Sequence, residues 1–325
     1  MELLLSSRQN IFRVHAENGD VEMEPCFVHP TGEYIKCLAA NDDRSHLLAG
    51  FFPGGVFRST DGGALWTNVS AGLPIDKIVN AAIDPTNPDR LYVGTNPAAL
   101  FVSENGGKAW RELEALRNHP NASIWSNPRG PAHVRGISIS PFDSRLIFTA
   151  IEVGDLMRSE DGGASWEVIG GVCRDQHKVL LSRVDPNLAF LSTGADSAPY
   201  DGAYGYGLFR SRDGGTSFVN VNDRLGTTKS VYTEDAIVSP RSAPETIFLA
   251  VGDETPPHWR GPRKENEYFA TPSREKREKG ADYSIHRSRD GGDTWQTLAD
   301  AQWKRWPAGC VLRRRLGTRR QRPRR

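Results

Sequence analysis

Three short segments carry acids, bases and cations at strand-like spacing: His133-Val-Arg135, Arg174-Asp175-Gln-His177 and Tyr232-Thr-Glu-Asp235. A further carboxylate, Glu152, closes the apolar run Ile147 to Ile151. In an extended strand, alternate residues share a side, so His133 falls with Arg135 and Asp175 with His177. A carboxylate beside an imidazole can move a proton, and two carboxylates flanking one bond can hydrolyse a glycoside. Asp175, His177 and Glu152 are therefore the candidate catalytic groups, with Asp235 a further acid. His133, Arg135, Arg174 and Tyr232 are candidate binding groups beside them. The competing reading makes all of them hydrogen-bonded caps around a wet opening. His133, His177 and Asp175 also invite comparison with metal ligands. They lack any fixed ligand spacing, so no metal and no cofactor is assigned.

Two longer segments add candidates. Ser192 to Gly207 holds Asp196, Tyr200, Asp201, Tyr204 and Tyr206, and aromatics beside carboxylates suit the stacking and hydrogen bonding of sugar rings. Equally, Tyr204 and Tyr206 alternate with glycine as an ordinary strand would. Asp253 to Asp282 holds Asp253, His258, Trp259 and the charge run Arg274-Glu-Lys-Arg-Glu-Lys279, which reads as a solvated loop. Tyr200, Asp201, Tyr204, Asp253 and His258 complete the binding set.

The elements that must position these groups repeat along the chain. Five segments read alike: Arg58-Ser-Thr-Asp-Gly-Gly-Ala-Leu-Trp66, Val102-Ser-Glu-Asn-Gly-Gly-Lys-Ala-Trp110, Arg158-Ser-Glu-Asp-Gly-Gly-Ala-Ser-Trp166, Arg210-Ser-Arg-Asp-Gly-Gly-Thr-Ser-Phe218 and Arg287-Ser-Arg-Asp-Gly-Gly-Asp-Thr-Trp295. Asp-Gly-Gly between apolar strands is a hairpin signal, because glycine supplies the positive φ of the turn. The aspartate and serine oxygens can bond backbone N–H groups inside that turn. The aromatic five residues on can fold back onto the neighbouring strands. A second unit lies upstream of each box, clearest in Ile83-Asp-Pro-Thr-Asn-Pro-Asp-Arg-Leu-Tyr-Val-Gly94, with weaker copies at Ile139-Ser-Pro, Val184-Asp-Pro and Val238-Ser-Pro.

These boxes resemble the Asp-box (BNR) repeat of the sialidase-like and sortilin-like superfamily. That superfamily includes sialidases, sortilin-type receptors, xyloglucan-hydrolysing propellers and photosystem II assembly factors. The resemblance runs from about residue 31 to 298 and implies an all-β propeller. It assigns the boxes to turn staples and not to catalysis.

Box aspartate positions 61, 105, 161, 213 and 290 lie 44, 56, 52 and 77 residues apart, about one four-stranded blade each with insertions. Glu2 to Ser7, Asn10 to Val14 and Val21 to Glu24 read as three strands of an earlier, box-free blade. The expectation is about six blades, or seven with an altered closure, the first blade needing its inner strand from the C-terminus. One domain should span 1–300, followed by an irregular basic tail over 301–325. The spacing from second strand to next box serine is 9, 9 and 10 residues in three blades but 19 and 38 in the last two. These expansions, and a third at Arg117 to Pro131, fall on the face opposite the boxes. Insertions gathered on one face of a rigid scaffold mark a binding face.

Residues 313–325 hold eight of the 41 basic residues and no acid, leaving 33 basic against 40 acidic residues elsewhere. An acidic body offers no footprint for nucleic acid, so only the tail could serve as such an arm. Four cysteines without CxxC spacing exclude a zinc or disulfide framework. No signal peptide and no stretch near a membrane span is visible, so the expected location is cytoplasmic.

The functional expectation is a propeller that binds a carbohydrate or protein partner through the loop-rich face. The alternative is a glycoside hydrolase, sialidase-like or xyloglucanase-like, acting at the channel mouth. Against a sialidase, Ile11-Phe-Arg-Val14 sits in the third-strand position and lacks the proline of the Phe-Arg-Ile-Pro segment. Xyloglucan-hydrolysing relatives use a cleft between two propellers, and one is visible here. An assembly factor would be expected to carry a targeting segment.

Overall fold

The computed structural model describes residues 2–7, 9–17, 20–126, 130–194, 207–225, 232–238, 246–252 and 282–302. It is a six-bladed β-propeller of antiparallel sheets. Blade 1 consists of Glu2–Ser7, Asn10–Glu17 and Asp20–Val28. Blades 2 to 6 each have four strands in chain order from the axis outward. Their inner strands are Tyr34–Ala40, Ile78–Asp84, Val134–Ile139, Gln176–Leu181 and Tyr232–Val238. Their second strands are Leu47–Phe52, Asn87–Thr95, Ile147–Ile151, Ala189–Thr193 and Ile247–Gly252. The boxes connect third to outer strands, as their turn chemistry predicts. Among the described residues no helix is long and apolar enough to cross a membrane.

The boxes fold as a repeated local network. In blade 2 the Ser59 hydroxyl accepts from Gly63 N at 2.8 Å, while Asp61 Oδ1 accepts from Ala64 N and Leu65 N at 3.0 and 2.9 Å. Gly63 takes φ +91°, a conformation only glycine adopts cheaply. The same bonds recur at Ser159 and Asp161, Ser211 and Asp213, and Ser288 and Asp290; Asn105 replaces the aspartate in blade 3. Each box aromatic then packs between sheets, Trp166 and Phe218 being buried outright.

Apolar layers fill the spaces between consecutive blades. Leu48, Val56, Ile78, Leu91 and Phe101 join blades 2 and 3, and Phe148, Val179, Leu191 and Phe209 join blades 4 and 5. Close approach needs a small residue at one point: a Cβ on Gly94 would stand 2.4 Å from Val134 Cγ1.

A polar clamp reinforces three of these seams. Arg58 donates to the Gly106 carbonyl of the next box, Arg210 does the same to Gly291, and Arg13 to Gly62. Arg58 and Arg210 lie in third strands. Arg13 lies in Asn10–Glu17, so that strand occupies the third-strand place of blade 1. Glu2–Ser7 is then a second strand, and the inner strand of blade 1 is not among the described residues. Leu5 is accordingly 49% exposed, whereas the second strands of blades 4 and 5 are buried throughout. The expected C-terminal supply of that strand lies outside the described residues beyond Gln302. The outer strand of blade 6, Gln296–Gln302, runs two residues past the expected boundary at 300.

One alignment of the upstream turns needs correction. Ser140 Oγ accepts from Phe142 N and Asp143 N, and Ser182 Oγ accepts from Val184 N and Asp185 N. The counterpart of Ile139-Ser-Pro is therefore Leu181-Ser182-Arg183, not Val184-Asp-Pro, which sits three residues later. Arg183 stands where blades 3 and 4 have Pro85 and Pro141, and all three line the central channel.

Candidate functional site

All five inner strands break register at the same place. The β-bulges fall between Ile35 and Cys37, Ile78 and Asn80, Val134 and Gly136, Gln176 and Lys178, and Thr233 and Asp235. A bulge places an extra residue opposite one partner and re-aims its side chain. The extra residues are Lys36, Val79, Arg135, His177 and Glu234. The first four line, toward the end opposite the boxes, a central cavity of about 920 Å³ that extends along the inner strands to Pro85, Pro141 and Arg183. Asn80, Lys178 and Asp235 line it one residue further along. The fold thus brings Arg135 and His177 to one mouth by a device that period-two counting does not contain.

Glu152 is the best-held acid there. Its side chain is 3% exposed, Arg135 Nη1 donates to Oε2, and His133 Nε2 lies 3.4 Å from the same oxygen. Burial alone would push the carboxyl up. The His133 hydrogen bond and the Arg135 charge outweigh it and hold Glu152 well below the usual carboxylate range. Glu152 is therefore ionised at any ordinary pH. The next residue, Val153, has φ +49°, unusual for a β-branched side chain. Its backbone is held on both sides, with Ser126 N donating to Val153 O and Gly154 N to Arg174 O. Strain of this kind persists where surroundings over-determine a site.

Asp175 and His177 form a second unit, of which His177 lines the cavity and Asp175 does not. A backbone bridge pairs Asp175 with Glu152 across blades 4 and 5. His177 is buried, and its Nδ1 lies 2.8 Å from the Thr233 carbonyl, which can only accept. Nδ1 therefore carries a hydrogen, and Nε2 faces Asp175 Oδ1 at 3.7 Å. Gly194 makes room for the pair: a Cβ there would sit 2.0 Å from Asp175 Oδ2 and 3.0 Å from His177 Nε2.

The remaining predicted residues divide. Arg174 ties loops together, donating to the carbonyls of Ile124 and Gly154, and does not line the cavity. His133 serves Glu152, so the triple of His133, His177 and Asp175 does not assemble as ligands. Among the described residues no three His, Cys, Asp or Glu groups converge on a metal position. Tyr232 starts the inner strand of blade 6. Tyr200, Asp201, Tyr204, Asp253 and His258 lie outside the described residues. The expected insertion at Arg117 to Pro131 contains a 3₁₀ turn at Pro120–Ile124, followed by Trp125, whose Nε1 donates to Asp155 Oδ2 at 2.7 Å. Lys36, Asn80 and Lys178 were not singled out from sequence. Counting back four residues from the last apolar residue of each inner strand (Ala40, Ile83, Ile139, Leu181, Val238) would have located the bulge residues.

No family model matches the chain. A xyloglucanase of Paenibacillus sp is 30% identical over 193 residues, which is 57% of this chain and 17% of that protein. Xyloglucanase Xgh74A of Acetivibrio thermocellus is 25% identical over 200 residues, 52% of this chain and 23% of that one. A probable oligoxyloglucan-reducing end-specific xyloglucanase of Neosartorya fischeri is 26% identical over 284 residues, 75% of this chain and 30% of that one. The chain thus spans less than a third of the length of these relatives. Among solved structures, the Niastella koreensis GH74 enzyme superposes with a TM-score of 0.62 at 16% identity, over 91% of this chain and 43% of that one. The GH74 xyloglucanase of Xanthomonas campestris gives 0.57 at 15% identity, over 90% and 44%. YCF48 bound to D1 peptide gives 0.54 at 13% identity, over 92% and 78%. At such identities these likenesses show the fold alone, and that fold is the β-propeller found in GH74 enzymes.

Proposed function

We propose that this chain is a carbohydrate-active propeller of the Asp-box superfamily, cleaving a glycosidic bond of a xyloglucan-type polysaccharide at the channel mouth opposite the boxes. The observation that carries the proposal is the pairing of two carboxylates in unlike surroundings on adjoining blades. Glu152 is locked in its ionised form, while Asp175 is partly exposed and faces His177 Nε2. Two such groups can divide the work of glycoside cleavage. In this assignment Asp175, with His177 as its proton partner, protonates the leaving oxygen. Glu152 cannot donate a proton and instead opposes the positive charge that develops on the sugar, whose carbon then takes up a water that returns a proton to Asp175. The names of the relatives favour hydrolysis over a purely binding role.

Binding without turnover is the second reading. It is favoured by the commitment of Glu152 Oε2 to both Arg135 and His133, which leaves that oxygen little freedom toward a substrate.

The test incubates the protein with xyloglucan and with neutral, bacterial and sialylated glycans, reading products by mass spectrometry beside Asp175→Asn and Glu152→Gln. Cleavage lost in a folded Asp175→Asn variant supports the assignment. A folded protein that binds xyloglucan without releasing product replaces hydrolysis with binding.

A further inference from the structure

We propose that Ala308 to Leu312 form the inner strand of blade 1 and close the ring between blades 6 and 1. The proposal stands independently of the hydrolase reading, and it replaces the expected irregular tail at those five residues.

The seam between blades 6 and 1 is shaped like the others but not filled. Apolar layers join blades 1 to 2, 2 to 3, 3 to 4, 4 to 5 and 5 to 6, and among the described residues none joins 6 to 1. Leu4 faces Arg13 in register as Leu48 faces Arg58 and Phe190 faces Arg210. That aligns Leu5 with Ala49, Val93, Thr149, Leu191 and Leu249. All five are 0% exposed, whereas Leu5 is 49% exposed. Across the seam, Ile285 stands three residues before its box serine, as Val56, Leu100, Leu156 and Leu208 do. Those four are 0% exposed and Ile285 is 48% exposed. The counterparts of Leu5 pack toward the preceding blade and those of Ile285 toward the following one, so both residues look into the same gap. Leu4, Leu5 and Ser6 also line the central cavity, where blades 2 to 6 present mainly inner-strand residues. A strand edge left in this state is a template for another strand.

The chain carries a matching strand at the matching distance. Lys36-Cys-Leu-Ala-Ala40, Arg135-Gly-Ile-Ser-Ile139 and Ala308-Gly-Cys-Val-Leu312 read alike from the bulge residue onward. The outer-strand partners of Arg13 and Arg58 are Glu24 and Thr67, and the next bulge residues, Lys36 and Val79, each lie 12 positions on. In blade 6 the partner of Arg287 is Gln296, and Ala308 also lies 12 positions on. The same spacing is 10 from Glu167 to His177 and lengthens to 15 and 24 in the two other connections.

In the register of the other blades, Leu312 pairs with Leu3, Val311 with Leu4 and Cys310 with Leu5. Cys310 and Leu312 then meet Leu5 and Ile285 in the open seam, as Val179 and Leu181 fill the seam between blades 4 and 5. Arg313 falls opposite Glu2, at the end of blade 1 where the register also places Glu17, Asp20 and Glu22. Opposite charges across a strand pair favour the pairing, so the basic residues that follow Leu312 suit this acidic end. Ala308 becomes the sixth bulge residue, and blade 1 adds no charge to the mouth.

The experiment oxidises the whole Leu5→Cys chain with diamide and maps the disulfide by peptide mass spectrometry, with Ser6→Cys beside it. Residues directly opposite in an antiparallel pair have Cα atoms about 4.5–5.5 Å apart, within the span of a disulfide. The new thiol should join Cys310 of the same chain at least about tenfold faster than the thiol of Ser6→Cys, which points to the other face of the strand. In the unaltered protein, Cys310 should react with a maleimide at least about tenfold more slowly than in the urea-unfolded chain. Labelling of Cys310 at the unfolded rate overturns the proposal. So does a disulfide between two chains, which puts a second copy's strand in the slot. Equal crosslinking through Ser6→Cys, or a protected Cys310 that never joins position 5, overturns it as well. None of these results bears on whether xyloglucan is cleaved.

Discussion

Arg183 of blade 5 reaches Asp42 of blade 2, so one ion pair spans the channel between opposite blades of a six-membered ring. Each residue occupies the turn position that blades 3 and 4 fill with Pro85 and Pro141. The pair lies at the box end, away from Glu152 and Asp175, and leaves the bulged end as the way in for a ligand. Exposed pairs contribute little, and these side chains are 28% and 58% exposed. Arg183→Pro should therefore shift stability by less than about 1 kcal/mol in urea unfolding. A loss of several kcal/mol would make the strap a structural tie of the whole ring.

Trp166 fills the space between blades 3 and 4 beside Leu113 and Met157. Replacing it with alanine should cost about 3–5 kcal/mol, read from the denaturant midpoint at unchanged slope. Unchanged unfolding would remove the box aromatic from the core.

Acid should loosen the boxes together. Hydrogen bonds from Ser165 hold Asp161 down at about 2, and Asp290 lies at about 2 because bonds from Thr294 and Ser288 outweigh its burial. Asp61 is likewise lowered, chiefly by the Leu65 N–H. These folded values lie below the unfolded value of about 3.9. Their contribution is therefore complete above pH about 4 and is lost as pH falls toward 2. Melting temperature should drop across that window. Asp161→Asn, which imitates Asn105, should flatten the drop, and an unaltered acid profile in that variant would contradict the assignment.

Val153 holds strain next to Glu152. Val153→Gly should raise stability by about 1 kcal/mol by relieving the positive φ, while lowering activity toward any substrate of the mouth. Reduced stability would mean that the Val153 side chain contributes more packing than its backbone costs.

The architecture was legible because its signals are local. Asp-Gly-Gly turns, period-two strands and the three opening strands all state their conformation within a few residues, and Glu2–Ser7 matches its expected range. The site was legible in part. Arg135, His177, Glu152 and Asp175 could be named because polar groups interrupting apolar strands stand out. Their grouping into Glu152 with Arg135 and His133, and Asp175 with His177, depends on contacts between strands and on the blade 4 to blade 5 bridge, which no local pattern encodes. Lys36 stands apart from these groups because a lone lysine in a strand looks like a solvated edge until the bulges are aligned. The clamps of Arg13, Arg58 and Arg210 join residues about 50 to 80 positions apart, beyond the reach of any spacing rule.

The common bulge separates what holds the ring from what the ring touches. A residue set outside the regular ladder can change identity without disturbing the hydrogen bonds on either side of it. Lysine, valine, arginine and histidine already occupy equivalent places around one opening. The propeller therefore carries a row of interchangeable sockets, and a new ligand preference could arise by rewriting four or five codons while the blades stay as they are.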